Sequence, residues 1–468
     1  MKRSHSFFII IAVLLLLSCD SVFAGEESFV FGPLGRVFLY RGQMQPAKVV
    51  LLISGDEGWS KGVADRAREI SGLGSIVVGV DSSRYLKNLA SSAGVCSYPA
   101  ADFEALSKYV QKKLHYPHYT LPVLVGYSSG AALVYAVLAQ SPPNTFQGGI
   151  SLGFCPELKL QKPLCRGQGL ESKPGMPGKS VLFLPDDRLS TPWIVLQGTT
   201  DEVCSADEAR SFVRRVPEAD IVILPKVGHG FSVERDWMPE FKKALERLKN
   251  NEQASDTRNT LNDLPLVEVP ASGKDSDFLA VIISGDGGWA GLDREVGGAL
   301  ARRGIRVVGL NALQYFWTKR TPEGASKDLA RILRHYLHAW NKNNIILVGY
   351  SLGADVVPFM ANRLPADLLA RVREVVLLGP GRTAEFEFHL SEWLPNTQDS
   401  AAMPILPEIK KLRKKKVLCL FGAGEKSSLC SELEPDLAES VRMPGGHHFG
   451  GKYESIAGMI LERIAGKE

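Results

Sequence analysis

The sequence predicts an α/β fold built twice in tandem, with mostly parallel sheets. Three observations carry that expectation: four motif blocks recur in the same order, apolar runs alternate with amphipathic stretches, and a polar seam divides the chain. "VVLLISGDEGWS", ending at Ser60, returns as "LAVIISGDGGWA", ending at Ala290. "LVGYSSGA" from Leu124 returns as "LVGYSLGA" from Leu347. "WIVLQGTTDEVC", ending at Cys204, parallels "VLCLFGAGEKSSLC", ending at Cys430, and "KVGHGF", ending at Phe231, parallels "PGGHHFG", ending at Gly450. Recurrence in fixed order at four places marks a tandem duplication.

The elements follow from periodicity. In the second half, "FLAVIISG", "IRVVGLNAL", "NIILVGYS", "EVVLLGPG" and "KKVLCLFG" are apolar at consecutive positions. A half-wet strand alternates polar and apolar residues; these do not, as expected of central parallel strands buried on both faces. Between them, "PEGASKDLARILRHYLHAWNK" places Leu329, Ile332, Leu333, Tyr336, Leu337 and Trp340 on one helical stripe. Strands alternating with helices give a parallel sheet with crossover connections. The seam is "NNEQASDTRNTLNDLP", polar and without aromatic residues. The expected division is therefore a leader over 1–24, a first domain over 25–250, a linker over 251–268 and a second domain over 269–468. Each half, at about 200 residues, is long enough for its own core.

Bulk properties narrow the function classes. The 468 residues carry a formal charge of only +4, which argues against a nucleic-acid partner. At the N-terminus, "MKR" precedes "FFIIIAVLLLLS", and "SVFA" follows with small residues at Val22 and Ala24. That is the pattern of a secretory leader cleaved after Ala24. Cys19 after Ser18 offers a lipoprotein reading, and a retained anchor is a third; all three put the globular part outside the cytoplasm, most simply in a periplasm. Six cysteines follow the leader: Cys96, Cys155, Cys165, Cys204, Cys419 and Cys430. An oxidising compartment permits disulfides, with Cys419 and Cys430, close in sequence, the expected pair; buried free thiols are the alternative. No tight CxxC spacing suggests zinc, and neither a metal nor a cofactor is expected.

Gly349-Tyr350-Ser351-Leu352-Gly353 is G-x-S-x-G between an apolar strand and an apolar helix. In that context the turn is sharp, the serine hydroxyl projects at the sheet edge, and glycines avoid clashes on both sides. Serine is a poor nucleophile until a base takes its proton, and the base needs an acid to hold its tautomer. The expected chain order is serine, acid, histidine. Glu425, after "KKVLCLFG", stands where the acid belongs, with Asp436 a weaker alternative further along the loop. Aligning "GHGF" with "GHHF" selects His447 as the base and leaves His448 beside it. The oxyanion needs two N–H donors, expected from Leu352 and from Asp286 in "ISGDGGW". The domains are thus a tandem pair of small α/β-hydrolase units.

The first half carries its own set, Ser128, Asp201 and His229, a candidate second site. Two differences rank it below the second half: Glu57 stands where the second half has Gly287, and Ala132 where it has Asp355.

Together "ISGDGGW", "GLNALQYFWTKRTPE", "GYSLGADVVPFMANRLP" and "PGGHHFGG" resemble the VirJ/AcvB family of periplasmic proteins. The likeness is strong from Asp277 to Lys467 and weaker in the first half, so the whole resembles the AcvB architecture. The resemblance implies an α/β-hydrolase that cleaves aminoacyl-phosphatidylglycerol at the membrane surface, releasing lysine or alanine. It also implies a link to virulence and type IV secretion, hence secretion-system or envelope partners. By motif, its nucleophile falls on Ser351 and its histidine on His447.

An aminoacyl ester carries an ammonium beside its carbonyl, and a carboxylate at Asp286 or Asp355 could select it. For Asp355, dipole compensation in the first helical turn is the alternative; for Asp286, a turn carboxylate bonding its own loop. "KKLRKKK" at Lys410–Lys416 reads as a solvated helix face or as an attractor of anionic lipid. Tyr315, Phe316 and Trp317 read as core or as the wall of a cleft. Rival functions are a general carboxylesterase or peptidase on the same fold, and a non-enzymatic secretion adaptor on a hydrolase scaffold.

Overall fold

The computed structural model describes residues 26–42, 48–92, 94–175, 180–248, 261–389 and 402–464. The segment read as a leader, Cys19 and most of the polar seam lie outside the described residues.

The first domain contains β1 (Glu27–Phe31), β2 (Gly35–Arg41), β3 (Lys48–Ile53), β4 (Ser75–Val80), β5 (Val123–Tyr127) and β6 (Gly148–Leu152). A small side sheet follows, of β7 (Glu157–Leu158), β8 (Ser172–Pro174) and β9 (Val181–Phe183), and then β10 (Trp193–Gly198) and β11 (Ala219–Leu224). The main sheet runs β1-β2-β4-β3-β5-β6-β10-β11. β1 pairs antiparallel with β2, and β2 antiparallel with β4; the remaining pairs are parallel.

The second domain contains β12 (Leu266–Val269), β13 (Phe278–Ile283), β14 (Arg306–Leu310), β15 (Asn344–Tyr350) and β16 (Val372–Leu378). A short pair, β17 (Thr383–Ala384) and β18 (Met403–Pro404), precedes β19 (Lys416–Gly422) and β20 (Glu439–Met443). The sheet order β12-β14-β13-β15-β16-β19-β20 repeats the first from β2 onward, again with one antiparallel pairing at the edge. The internal repeat of the sequence is therefore a repeat of topology.

The strands are apolar throughout because both faces are covered. On β13, Val281 and Ile283 join one apolar cluster with the helix Pro322–Ala339, while Ala280 and Ile282 join another with the helix Gly291–Arg302. Side chains alternate across a strand, so both sets must be apolar when helices pack on both sides.

One boundary differs from the sequence expectation. β12 begins within the segment read as linker, yet pairs antiparallel with β14, and Leu261 and Leu264 are buried in the second core. Pro265 also accepts a bond from the Asn311 N–H. The polar composition of the seam hides these few apolar anchors, which place residues 261–268 in the second domain.

The domains meet through a small apolar cluster of Tyr119, Leu313, Trp317 and Phe388. Trp317 Nε1 donates to the Tyr116 carbonyl at 2.8 Å, and Lys112 Nζ donates back to the Trp317 carbonyl at 2.6 Å. Tyr315, Phe316 and Trp317 are all buried, so the cleft-wall reading of that aromatic run gives way to core and seam. In the lysine run, Arg413 pairs with Asp436, Lys411 with Glu408, and Lys415 with the Leu369 carbonyl. Among the described residues no helix is long and apolar enough to cross a membrane.

Candidate active site

Both predicted nucleophiles sit on the same backbone device. Ser128 follows β5 with φ 56° and ψ −119°, and Ser351 follows β15 with φ 52° and ψ −120°. A non-glycine residue at positive φ is sparsely populated and strained. The flanking glycines make it affordable. A Cβ on Gly349 would lie 2.3 Å from the Gly353 carbonyl, and one on Gly353 would lie 2.0 Å from the Ile283 carbonyl. Strand and helix thus touch through bare backbone, which exposes the serine between them.

In the first domain all three side chains are joined. His229 Nε2 lies 2.9 Å from Ser128 Oγ, and His229 Nδ1 lies 2.9 Å from Asp201 Oδ2. Asp201 is buried and fixed by the Val203 and Cys204 N–H groups and by Gln197 Nε2. The Cys155–Cys204 disulfide anchors that loop. Asp201, Cys204 and His229 donors cluster as metal ligands can, but the disulfide occupies Cys204 and the histidine–carboxylate bond occupies the other two.

In the second domain His447 Nδ1 contacts Glu425 Oε1, and Glu425 Oε2 accepts from the Gly422 N–H. His447 packs over Gly379, whose Cβ would fall 2.8 Å from His447 Cε1. Gly379 follows Leu378, whose carbonyl accepts from the Ser351 N–H at 2.9 Å. The first domain is built the same way, with His229 over Gly153 and Ser128 N–H bonded to Leu152. Ser351 Oγ and His447 form no hydrogen bond in this arrangement; the mouth is the looser of the two. The His447 side chain is 40% exposed against 17% for His229, so the second imidazole is the more open to a substrate.

Asp436 pairs with Arg413 instead of the imidazole, which leaves Glu425 as the acid. His448 is bonded to the Tyr350 hydroxyl at 3.0 Å, and burial pushes its imidazole below the ordinary value. The oxyanion loop is closed by the Gly288 N–H bonding the Gly285 carbonyl at 3.0 Å. Its Asp286 lies beside the nucleophile turn, because a Cβ on Gly285 would fall 3.4 Å from Ser351 Cβ. Leu352 opens the helix Leu352–Asn362, where N–H groups lack intrahelical acceptors and favour an anion. Glu57 is exposed, and its charge acts on Tyr127 beside Ser128.

A cavity of about 530 Å³ opens on the second site, lined by Asp286, Tyr350 and His447 and closed by Tyr98, Glu104 and Gln168 from the first domain. That volume is in the range of small-molecule sites. Asp286 lines it. Asp355 does not line it: its Oδ1 accepts the Gly381 N–H at 2.7 Å, and burial pushes its carboxyl up to about 8. Held by Gly381 and absent from the cavity lining, Asp355 gains no support from the geometry for the substrate-selecting role expected of it. Sequence reasoning missed Asp293, a buried carboxyl in the same cavity. The signal was available in the repeat, where "SGDEGWSKGV" aligned with "SGDGGWAGLD" sets Val63 against Asp293.

A family model described as "Bacterial virulence protein (VirJ)" matches residues 47–150 and 277–468. Among solved structures, the chain is similar to XC6422 from Xanthomonas campestris, described as an a/b serine hydrolase without lid. The identity is 18%, covering 49% of this chain and 96% of that one, with a TM-score of 0.31. A dienelactone hydrolase from Anabaena variabilis is 13% identical over 48% of this chain and 98% of its own, with a TM-score of 0.33. Est1E from Butyrivibrio proteoclasticus is 12% identical over 49% of this chain and 100% of its own, with a TM-score of 0.32. No curated protein sequence matches the chain.

Proposed function

We propose, from the premise that the chain belongs to the VirJ family of bacterial virulence proteins, that it is a periplasmic serine ester hydrolase. Its substrate in this reading is aminoacyl-phosphatidylglycerol, as the likeness to AcvB-type chains implies. The observation that carries the proposal is the strained Ser351 elbow at the end of β15 together with a His447–Glu425 pair whose imidazole lines the cavity. The six cysteines outside the leader form three disulfides, Cys96–Cys165, Cys155–Cys204 and Cys419–Cys430, which suits an oxidising compartment.

The chemistry is a two-step acyl transfer. Ser351 Oγ attacks the ester carbonyl carbon while His447 Nε2 takes the hydroxyl proton, and Glu425 holds the imidazole through Nδ1. The oxyanion that forms is met by the N–H groups of Leu352 and Asp286. Its collapse breaks the ester C–O bond, and His447 returns the proton to the departing glycerol oxygen. Water, deprotonated by His447, then attacks the aminoacyl-serine ester, and the amino acid leaves as Ser351 regains its proton.

The test uses the full chain with vesicles of phosphatidylglycerol containing lysyl- or alanyl-phosphatidylglycerol, measuring free amino acid. Ser351→Ala is expected to abolish release at this site; undiminished release removes Ser351 from the mechanism. A deletion strain is expected to accumulate the aminoacylated lipid. Turnover of simple esters with no action on these vesicles would favour a general carboxylesterase.

A further inference from the structure

Asp293 sits at the start of the helix Gly291–Arg302 and lines the interdomain cavity together with Asp286, Tyr350 and His447. It is 2% exposed, and among the described residues its Oδ1 has no hydrogen-bond partner. A buried carboxyl oxygen without a partner is costly, and such groups in native proteins call for a reason.

The fold itself does not demand an acid there. The first domain places Val63 at the same point of the repeat, 4% exposed and packed in its apolar cluster. One chain therefore builds this helix start with a hydrocarbon in one copy and a carboxyl in the other. The carboxyl occurs in the copy whose histidine, His447, lines the interdomain cavity.

Among the described residues no cation is paired with it. Burial raises the carboxyl well above the ordinary range, the Gly285 N–H aimed at it pulls the other way, and the charge of Asp286 raises it further. The first-domain acid in the wall, Glu104, is already matched by Lys108 at 2.7 Å. Gly285 links the carboxyl to the reaction centre. Its N–H faces Asp293, while a Cβ on it would lie 3.4 Å from Ser351 Cβ. In an aminoacyl ester the α-nitrogen is two bonds from the carbonyl carbon that Ser351 attacks.

We infer that Asp293, assisted by Asp286, receives the protonated α-amino group of the acyl moiety from the interdomain cavity, and that it sets the preference of the Ser351 site for free-amine esters. This rests on the reading of Ser351 as the acylated residue.

The test compares alanine p-nitrophenyl ester with N-acetylalanine p-nitrophenyl ester, which differ in the α-ammonium, in full-length protein carrying Ser128→Ala. Asp293→Val, the residue the first domain already accommodates, and the isosteric Asp293→Asn are each expected to lower the free-amine preference in kcat/KM by about tenfold or more, chiefly through KM. An unaltered preference in a folded variant overturns the inference. Ser351→Ala in the same background separates the two claims: if both esters are still turned over, the reading of Ser351 fails first. If Ser351→Ala is dead and the Asp293 variants keep the preference, only the inference falls.

Discussion

Lys108 of the first domain reaches across the seam to the backbone carbonyl of Asp286 in the second, with Nζ 3.4 Å from the oxygen. The same ammonium is held at 2.7 Å by Glu104, and Lys108 is only 9% exposed. The loop expected to stabilise the oxyanion beside Ser351 is thus braced by the other domain. Oxyanion donors act through preorganisation, so a looser loop should cost turnover more than binding. Lys108→Ala is expected to lower kcat at the Ser351 site by about three- to tenfold, the scale of one weak charge-assisted bond. Lys108→Arg should recover part of the loss. Steady-state kinetics in a Ser128→Ala background check this; an unchanged kcat would show the brace to be idle.

The closed Ser128–His229–Asp201 arrangement predicts a second activated serine. A fluorophosphonate reagent should add twice per chain, once at Ser128 and once at Ser351, as read by intact mass. Ser128→Ala and Ser351→Ala should each accept a single adduct. On a substrate turned over by one site, loss of that serine should cost on the order of 10⁴-fold or more in kcat. A single adduct on the unaltered protein would mean that one triad is inert.

The elbow glycines differ sharply from other glycines in tolerance. Gly353→Ala would drive a Cβ to 2.0 Å from the Ile283 carbonyl, backbone against backbone, and should cost about 1–3 kcal/mol or more. Gly458, inside the helix Tyr453–Ile464, has nothing within 4 Å of its would-be Cβ. Gly458→Ala should instead stabilise by about 0.5–1 kcal/mol. Urea midpoints of the two variants against the unaltered chain decide the matter.

Asp355 predicts a pH signature of stability. Its carboxyl is raised from 3.8 to about 8 in the folded state by burial, partly offset by the Gly381 N–H. Folding therefore favours the protonated form. That contribution is fully present below the unfolded value and is lost as pH rises through the folded one. Relative to the unaltered chain, Asp355→Asn should gain stability between pH 5 and about 8, with no further gain above. Thermal midpoints across that window test it; parallel curves would refute it.

The Cys419–Cys430 disulfide brackets the loop that carries Glu425, closing a separation of 11 residues. Replacing both cysteines by serine should cost roughly 2–3 kcal/mol, the loop-closure scale for so short a span. It should also reduce turnover at Ser351, because the acid loses its tether. Full activity in the doubly substituted protein would show that Gly422 and His447 suffice to hold Glu425.

The sequence by itself determined what is local or repeated. Strands buried on both faces are continuous apolar runs, an elbow needs glycines wherever backbones touch, and a duplication displays its own alignment. Hence the two sheets, Ser128 and Ser351, and the pairing of neighbouring Cys419 and Cys430 were legible before any coordinates. What only the tertiary structure decided depends on segments distant in the chain meeting through docking. The pairings Cys96–Cys165 and Cys155–Cys204 close loops that spacing cannot rank. The aromatic run at Tyr315 has the composition of a cleft wall and of a core alike, and burial against the first domain made it core and seam. Asp355 looked poised for substrate until Gly381 was seen to hold it. Asp293, one of many acids in a helix start, became distinctive because a second domain walls the cavity it faces. Pattern records the environment of a residue within its own element; only packing between elements says what that residue is left to bind.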